Sequence, residues 1–132
     1  MDLIIGIERV TALVFIITGL SHVTAPREWA RFFVAVRDRS AVPGFVNAWI
    51  HGPLGVLILA FHWVWSWPGV VVTLIGCGLT LKAWLHFTFP ALALRTMAPV
   101  SEERALPFRL GGALMLVTGL WIGWISLGSP RL

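Results

Sequence analysis

From Ser40 to Leu81 the chain carries no carboxylate, ammonium or guanidinium, and the first full charge after Arg39 is Lys82. A charge-free run of that length holds two segments of the ~20 residues that a helix needs to cross hydrocarbon. Similar apolar segments on either side of it bring the number to four, at about 3–23, 45–65, 69–89 and 108–127. Of the 132 residues, 58% are hydrophobic and 12% charged, and the mean hydropathy is +0.85. A soluble domain of this size has too little interior to hide so much apolar side chain, so lipid is the solvent for most of it. The expected fold is an all-α membrane protein: a four-transmembrane-helix bundle in one membrane domain spanning 1–132, with the lipid bilayer as its first partner.

The charges lie in short connections. Arg27, Glu28, Arg31, Arg37, Asp38 and Arg39 follow the first segment, and Arg95, Glu102, Glu103, Arg104 and Arg109 follow the third. Those connections hold seven arginines on one side, against Arg9 and Arg131 on the other. The positive-inside bias makes the basic side cytoplasmic and puts both termini outside. The location implied is a bacterial inner membrane. A pI near 11.1 could point to nucleic acid, but topology and anionic headgroups account for arginines confined to loops, and no nucleic-acid partner is expected. Met1 and Asp2 run directly into Leu3, Ile4 and Ile5 with no basic region or small-residue cleavage site, so the first segment reads as retained. Between residues 26 and 39, Trp29, Phe32, Phe33 and Val36 recur at helical spacing opposite Arg27, Glu28, Arg31 and Asp38. That pattern fits a helix lying in the interface, or equally an amphipathic connector packed on the bundle.

Several polar residues fall inside the apolar segments. Glu8, Thr11, Phe15, Thr18 and His22 form one stripe of the first helix; His51, Gly55, Ile58 and His62 form one on the second; Gly78, Lys82 and His86 form part of one on the third. Such stripes must face the bundle interior, because an unpaired ammonium in hydrocarbon costs roughly 2.5–3.5 kcal/mol even on lenient insertion scales. With the topology above, His22, His51, Lys82 and His86 stand near the cytoplasmic third, Asn47 just beyond them, and Glu8 and His62 near the outer third. Two polar layers separated by an apolar middle are therefore expected. Two readings stay open for the cytoplasmic layer: hydrogen-bonding glue with Lys82 snorkelling to headgroups, or a functional site.

His22, His51 and His86 at one depth are the candidate ligands for a metal ion, or for one haem b held by His51 with His22 or His86. No cofactor is the leading expectation, since histidine spacing across separate helices is a weak signal. Cys77 is the only cysteine, which excludes an intramolecular disulfide. No nucleophile constellation, phosphate loop or carboxylate pair is present, which points away from an enzyme. Gly112, Gly119 and Gly123 share roughly one face of the last helix, a surface for close helix packing or for contact between protomers. Trp63, Trp65, Trp67, Trp121 and Trp124 gather toward one membrane surface, and Trp29, Trp49 and Trp84 toward the other, as interfacial anchors.

The run His62, Trp65, Trp67-Pro68, Val72-Thr73-Leu74, Gly76, Lys82-Ala83 and Phe89-Pro90 resembles a pattern in small, uncharacterised bacterial four-span integral membrane proteins. It covers mainly the second and third segments, and the chain has Cys77 where that pattern usually has Trp and Ala83 where it usually has Gly. The resemblance implies a fold and an inner-membrane location and brings no reaction. A long basic loop after the first segment and the lack of Tyr argue against a small multidrug transporter. The leading expectation is a non-enzymatic homo-oligomer or accessory subunit of a membrane complex. The alternatives are proton-coupled or ion-conducting transport through Glu8, His62, His51, Lys82 and His86, and a haem-binding electron carrier.

Overall fold

A computed structural model describes residues 2–40 and 42–128. Met1 and Arg131, both used above, lie outside the described residues. Among these residues 83% are helical, in six helices with no strand. They are α1 (Leu3–Thr24), α2 (Pro26–Arg39), α3 (Pro43–Phe61), α4 (Val70–Thr88), α5 (Pro90–Met97) and α6 (Leu106–Gly128). Four of them, α1, α3, α4 and α6, are long and apolar enough to cross a membrane, as the hydropathy of the chain predicts.

The helix starts follow local chemistry. The Asp2 carboxylate accepts the Ile4 N–H at 2.9 Å and caps α1. Proline opens α2, α3 and α5, where its fixed φ suits the first turn and its missing N–H is no loss. Two boundaries differ from the sequence expectation. The second spanning helix ends at Phe61 instead of continuing to about 65, so Trp63 and Trp65 lie beyond its end. The third connection contains α5, which is too short for a span and was expected as loop.

Irregular backbone near membrane depth needs partners for its N–H and C=O groups, because lipid offers none. Thr73 of α4 supplies them to the segment after α3. Its hydroxyl donates to the Val64 carbonyl at 2.8 Å and accepts the Val64 N–H at 3.1 Å. Helix α3 can therefore stop early without stranding Val64, and the turn Ser66–Gly69 follows.

The spanning helices form two antiparallel pairs. α1 packs along α6, and α3 packs along α4, whereas α1 and α3 share a much smaller interface. The first and third connections lie at one end, tied by Arg31 Nε to Glu102 Oε2 at 3.2 Å and by the Arg37 guanidinium, which donates to the carbonyls of Met97 and Val100 at 3.2 and 2.8 Å. Arg37 thus holds the C-terminal end of α5, where exposed carbonyls favour a cation. The Asp38 carboxylate beside it is held below its ordinary range by hydrogen bonds from Arg37. A buried cluster of Ile7, Ala12, Ile58, Val72 and Ile122 joins the two pairs toward the opposite, turn end.

Glycine sets how closely each pair approaches. A Cβ on Gly119 would stand 2.9 Å from Ile16 N and 3.0 Å from Ala12 O, and one on Gly112 would overlap His22 Cβ. Gly19 answers them from α1, where an added Cβ would lie 2.6 Å from Leu116 N. So α1 occupies the glycine face of α6 inside the chain. Gly123 faces α1 as well but less closely, since an added Cβ would stand 3.8 Å from Ala12 Cβ, an ordinary contact distance. Gly119→Ala is expected to destabilise by about 1–3 kcal/mol through overpacking against backbone that cannot yield. Gly111→Ala, with open space around it, should change stability by no more than roughly 0.5–1 kcal/mol and in the favourable direction. Reversible unfolding in mixed micelles measures both.

Candidate functional site

The two polar layers inferred from sequence are present as separate structures. At the turn end, Glu8, Thr11, His62 and Thr73 are buried. His62 follows the last residue of α3, so the early end of that helix turns its ring toward α1. His62 Nε2 lies 3.3 Å from Glu8 Oε1 and Nδ1 lies 3.2 Å from Thr73 Oγ1. Since the Thr73 hydroxyl donates its only proton to Val64 O, it accepts from His62, which places a hydrogen on Nδ1. Both side chains are 0% exposed, so the contact between imidazole and carboxyl offsets part of the cost of burying them. Thr11 donates to the Ile7 carbonyl at 2.8 Å within α1. Thr73 was the part of this cluster that spacing did not single out.

At the α2 end the two helix pairs stand apart and leave a cleft. His51 donates Nδ1–H to the Asn47 carbonyl at 2.8 Å, one turn back. Its Nε2 is thereby an acceptor, and it receives a hydrogen bond from Lys82 Nζ at 3.0 Å. Lys82 is exposed, as is Gly78, so of that stripe only His86 is buried as expected; the Lys82 ammonium nevertheless crosses from α4 toward α3 and lines the cleft. Among the described residues no carboxylate pairs with it. An ammonium has three donors, and two remain after His51.

His22 is fixed in the same way, Nδ1–H to the Thr18 carbonyl at 2.8 Å. Its ring stacks on Trp29 with centroids 4.0 Å apart and planes 18° apart, and Trp29 donates its indole N–H to Ser21 Oγ at 2.9 Å. Phe108 and Phe33 continue the row, 6.1 Å from His22 and 5.8 Å from each other. The apolar face of α2 is thus packed on α1 and α6, and Trp29 and Phe33 are wall residues of the cleft more than lipid anchors.

The cleft has two compartments that meet at His22, Phe33, His51 and Lys82. One, about 570 Å3, extends into the middle of the bundle between Phe15, Leu54, Ile75, Leu79 and Met115. The other, about 590 Å3, lies over α5, with Asn47 and His86 on one side and Leu92, Thr96 and Met97 on the other. Asn47 and His86 are 4% and 3% exposed, and Asn47 Oδ1 and His86 Nδ1 have no hydrogen-bond partner. Buried amide and imidazole atoms left unpaired are costly, about 1–3 kcal/mol each, and point to a group that the site is shaped to receive.

The three histidines do not make a metal centre: among the described residues no group of three or more His, Cys, Asp or Glu is placed to hold an ion. A haem between His51 and His22 fits poorly, because His51 Nε2 is engaged by Lys82 and His22 lies flat on an indole. The site is instead a cation and polar acceptors at the mouth of an apolar cavity.

The Glu8–His62 contact can be weighed by a double-mutant cycle. Breaking a buried pair in a water-soluble core costs 3–5 kcal/mol, but in a bilayer the unfolded reference also finds polar partners, so Glu8→Leu alone is expected to cost about 1–2 kcal/mol. Glu8→Leu combined with His62→Phe should be less harmful than the sum of the single changes, with the coupling read from unfolding in lipid bicelles.

No protein-family model, curated protein or solved structure matches the chain, so the chemistry of these residues rests on their own geometry.

Proposed function

We propose that this small integral membrane protein is a non-enzymatic binding protein for one anionic lipid, taken laterally from the bilayer into the cleft between the two helix pairs. The observation that carries this reading is the Lys82 ammonium, held by a neutral His51 and facing a cavity, with an apolar compartment directly beside it. A cation kept at membrane depth without a carboxylate partner is balanced at least cost by an anion that brings its own hydrocarbon. The acidic head would sit at Lys82, and a chain would fill the space between Phe15, Leu54 and Met115. With the arginine-rich α2 end facing the cytoplasm, as the charge bias favours, the ligand would come from the inner leaflet.

The other readings have less support. Contact between protomers through Gly112 and Gly119 competes with α1, which already lies against them. A continuous proton path would have to join the Glu8–His62 pair to the Lys82–His51 pair across a wall of Phe15, Leu54 and Ile75.

In nanodiscs of phosphatidylcholine carrying a minor share of phosphatidylglycerol, the wild-type protein should retain one phosphatidylglycerol when released for native mass spectrometry. Lys82→Met should reduce that retention about tenfold, the loss of roughly 1.4 kcal/mol, while Lys82→Arg largely preserves it. Because Lys82→Met removes a charge from hydrocarbon, it should fold at least as well as the wild type. Equal retention by Lys82→Met and wild type would remove the proposal.

A further inference from the structure

We infer that the preferred lipid carries a hydroxyl on its headgroup next to the anionic phosphate, a glycerol-phosphate type of head, with Asn47 and His86 as the residues that select it. This rests on the reading of the cleft as an anionic-lipid site and names the chemistry of its head.

The inference starts from two groups that the Lys82 reading leaves unexplained. Asn47 and His86 are more than nine-tenths buried, line the compartment over α5, and each have a side-chain atom with no partner. They sit beyond Lys82 on the side away from the apolar compartment, so an occupant whose phosphate reaches Lys82 presents to them whatever extends past the phosphate. That extension cannot be apolar without leaving both groups unpaired. A second anion would meet no cation there, since among the described residues Lys82 is the single charged one lining either compartment. An ammonium, as in an ethanolamine head, could donate to Asn47 Oδ1 but would set a second cation close to Lys82, with no carboxylate among the described lining residues to offset it.

A hydroxyl avoids each of these conflicts. It both donates and accepts, so it satisfies a carboxamide in either orientation and an imidazole in either tautomer. Thr96 of α5 also lines this compartment, but its hydroxyl donates to the Ala93 carbonyl at 2.9 Å, so its proton is already engaged. The compartment, about 590 Å3, is an open groove lined toward α5 by Leu92 and Met97. Lys82 would therefore set affinity for the anion, and Asn47 with His86 would set the choice among anionic lipids.

The test compares two lipids of the same single phosphodiester charge, phosphatidylglycerol and phosphatidylethanol, mixed equally as minor components of phosphatidylcholine nanodiscs around the full-length protein. Bound lipid is counted by native mass spectrometry. The wild type should retain phosphatidylglycerol over phosphatidylethanol by roughly five- to tenfold, the effect of one or two net hydrogen bonds. Asn47→Leu and His86→Leu should each bring the ratio toward one while keeping Lys82-dependent retention of phosphatidylethanol. Soluble glycerol 3-phosphate should not displace the lipid, because it lacks a chain for the apolar compartment; displacement would mean that the site takes a free phosphate ester and would overturn the choice of a lipid. Equal retention of the two lipids by the wild type, with both still lost in Lys82→Met, would overturn the hydroxyl inference alone. Retention that ignores Lys82→Met would overturn the lipid-site reading beneath it. Since the decisive comparison changes the lipid and not the protein, a variant that folds poorly leaves it intact.

Discussion

The two helix pairs are joined across the bundle where His62 meets Glu8. Within each pair, glycine lets backbones approach until ordinary packing holds them, at Gly112 and Gly119 for α1 and α6. Between pairs the contact is narrow, and it includes a buried carboxyl, an imidazole and the Thr73 hydroxyl. In lipid there is little hydrophobic drive to bring one helix pair onto another, because acyl chains are as apolar as the side chains they would replace. The hydrogen-bonded cluster together with the Ile7, Ile58 and Ile122 contact has to supply the association instead.

Joining at one end and standing apart at the other are linked. The Glu8–His62 cluster and the isoleucines close the turn end, while at the α2 end the first pair is spaced from the second by Trp29 and Phe33 of α2 and the second rests on α5. The space between is lined by aromatic rings on one wall and by Lys82, His51, Asn47 and His86 on the other. An ammonium is tolerated there because it is hydrogen-bonded on one side and open to a polar occupant on the other. The cluster at the turn end joins the two pairs through Glu8 and His62, whereas the cleft at the α2 end leaves Asn47 Oδ1 and His86 Nδ1 facing an open space.

Much of this was legible beforehand. The stripe Glu8, Thr11, Phe15, Thr18 and His22 faces inward, because a helix of fixed period leaves polar groups in lipid no other low-cost orientation. Lys82 pairs with His51, with Asn47 buried beside them, so residues placed at one level along their helices do stand together. Legibility failed where a short element depends on its surroundings. The eight residues of α5 have no span-length signal, and their helix rests on Pro90 at its start and Arg37 at its end, which is remote in sequence. The end of α3 at Phe61 depends on a threonine eleven positions beyond His62. Gly123 looked like Gly112 and Gly119 on a helical wheel, but the α1–α6 approach is close only where Gly19 allows it.

Sequence by itself determined the number of spanning helices, the side on which the arginines gather and which residues must be sheltered from lipid, because hydrocarbon penalises exposed backbone and charge regardless of how helices are arranged. Tertiary structure alone decided which helices pair, that the glycine face is filled by α1, and that the polar residues divide into a closed cluster and an open cleft. Those outcomes follow from backbone approach and ring placement between segments far apart in the chain, for which a period along one helix carries no information.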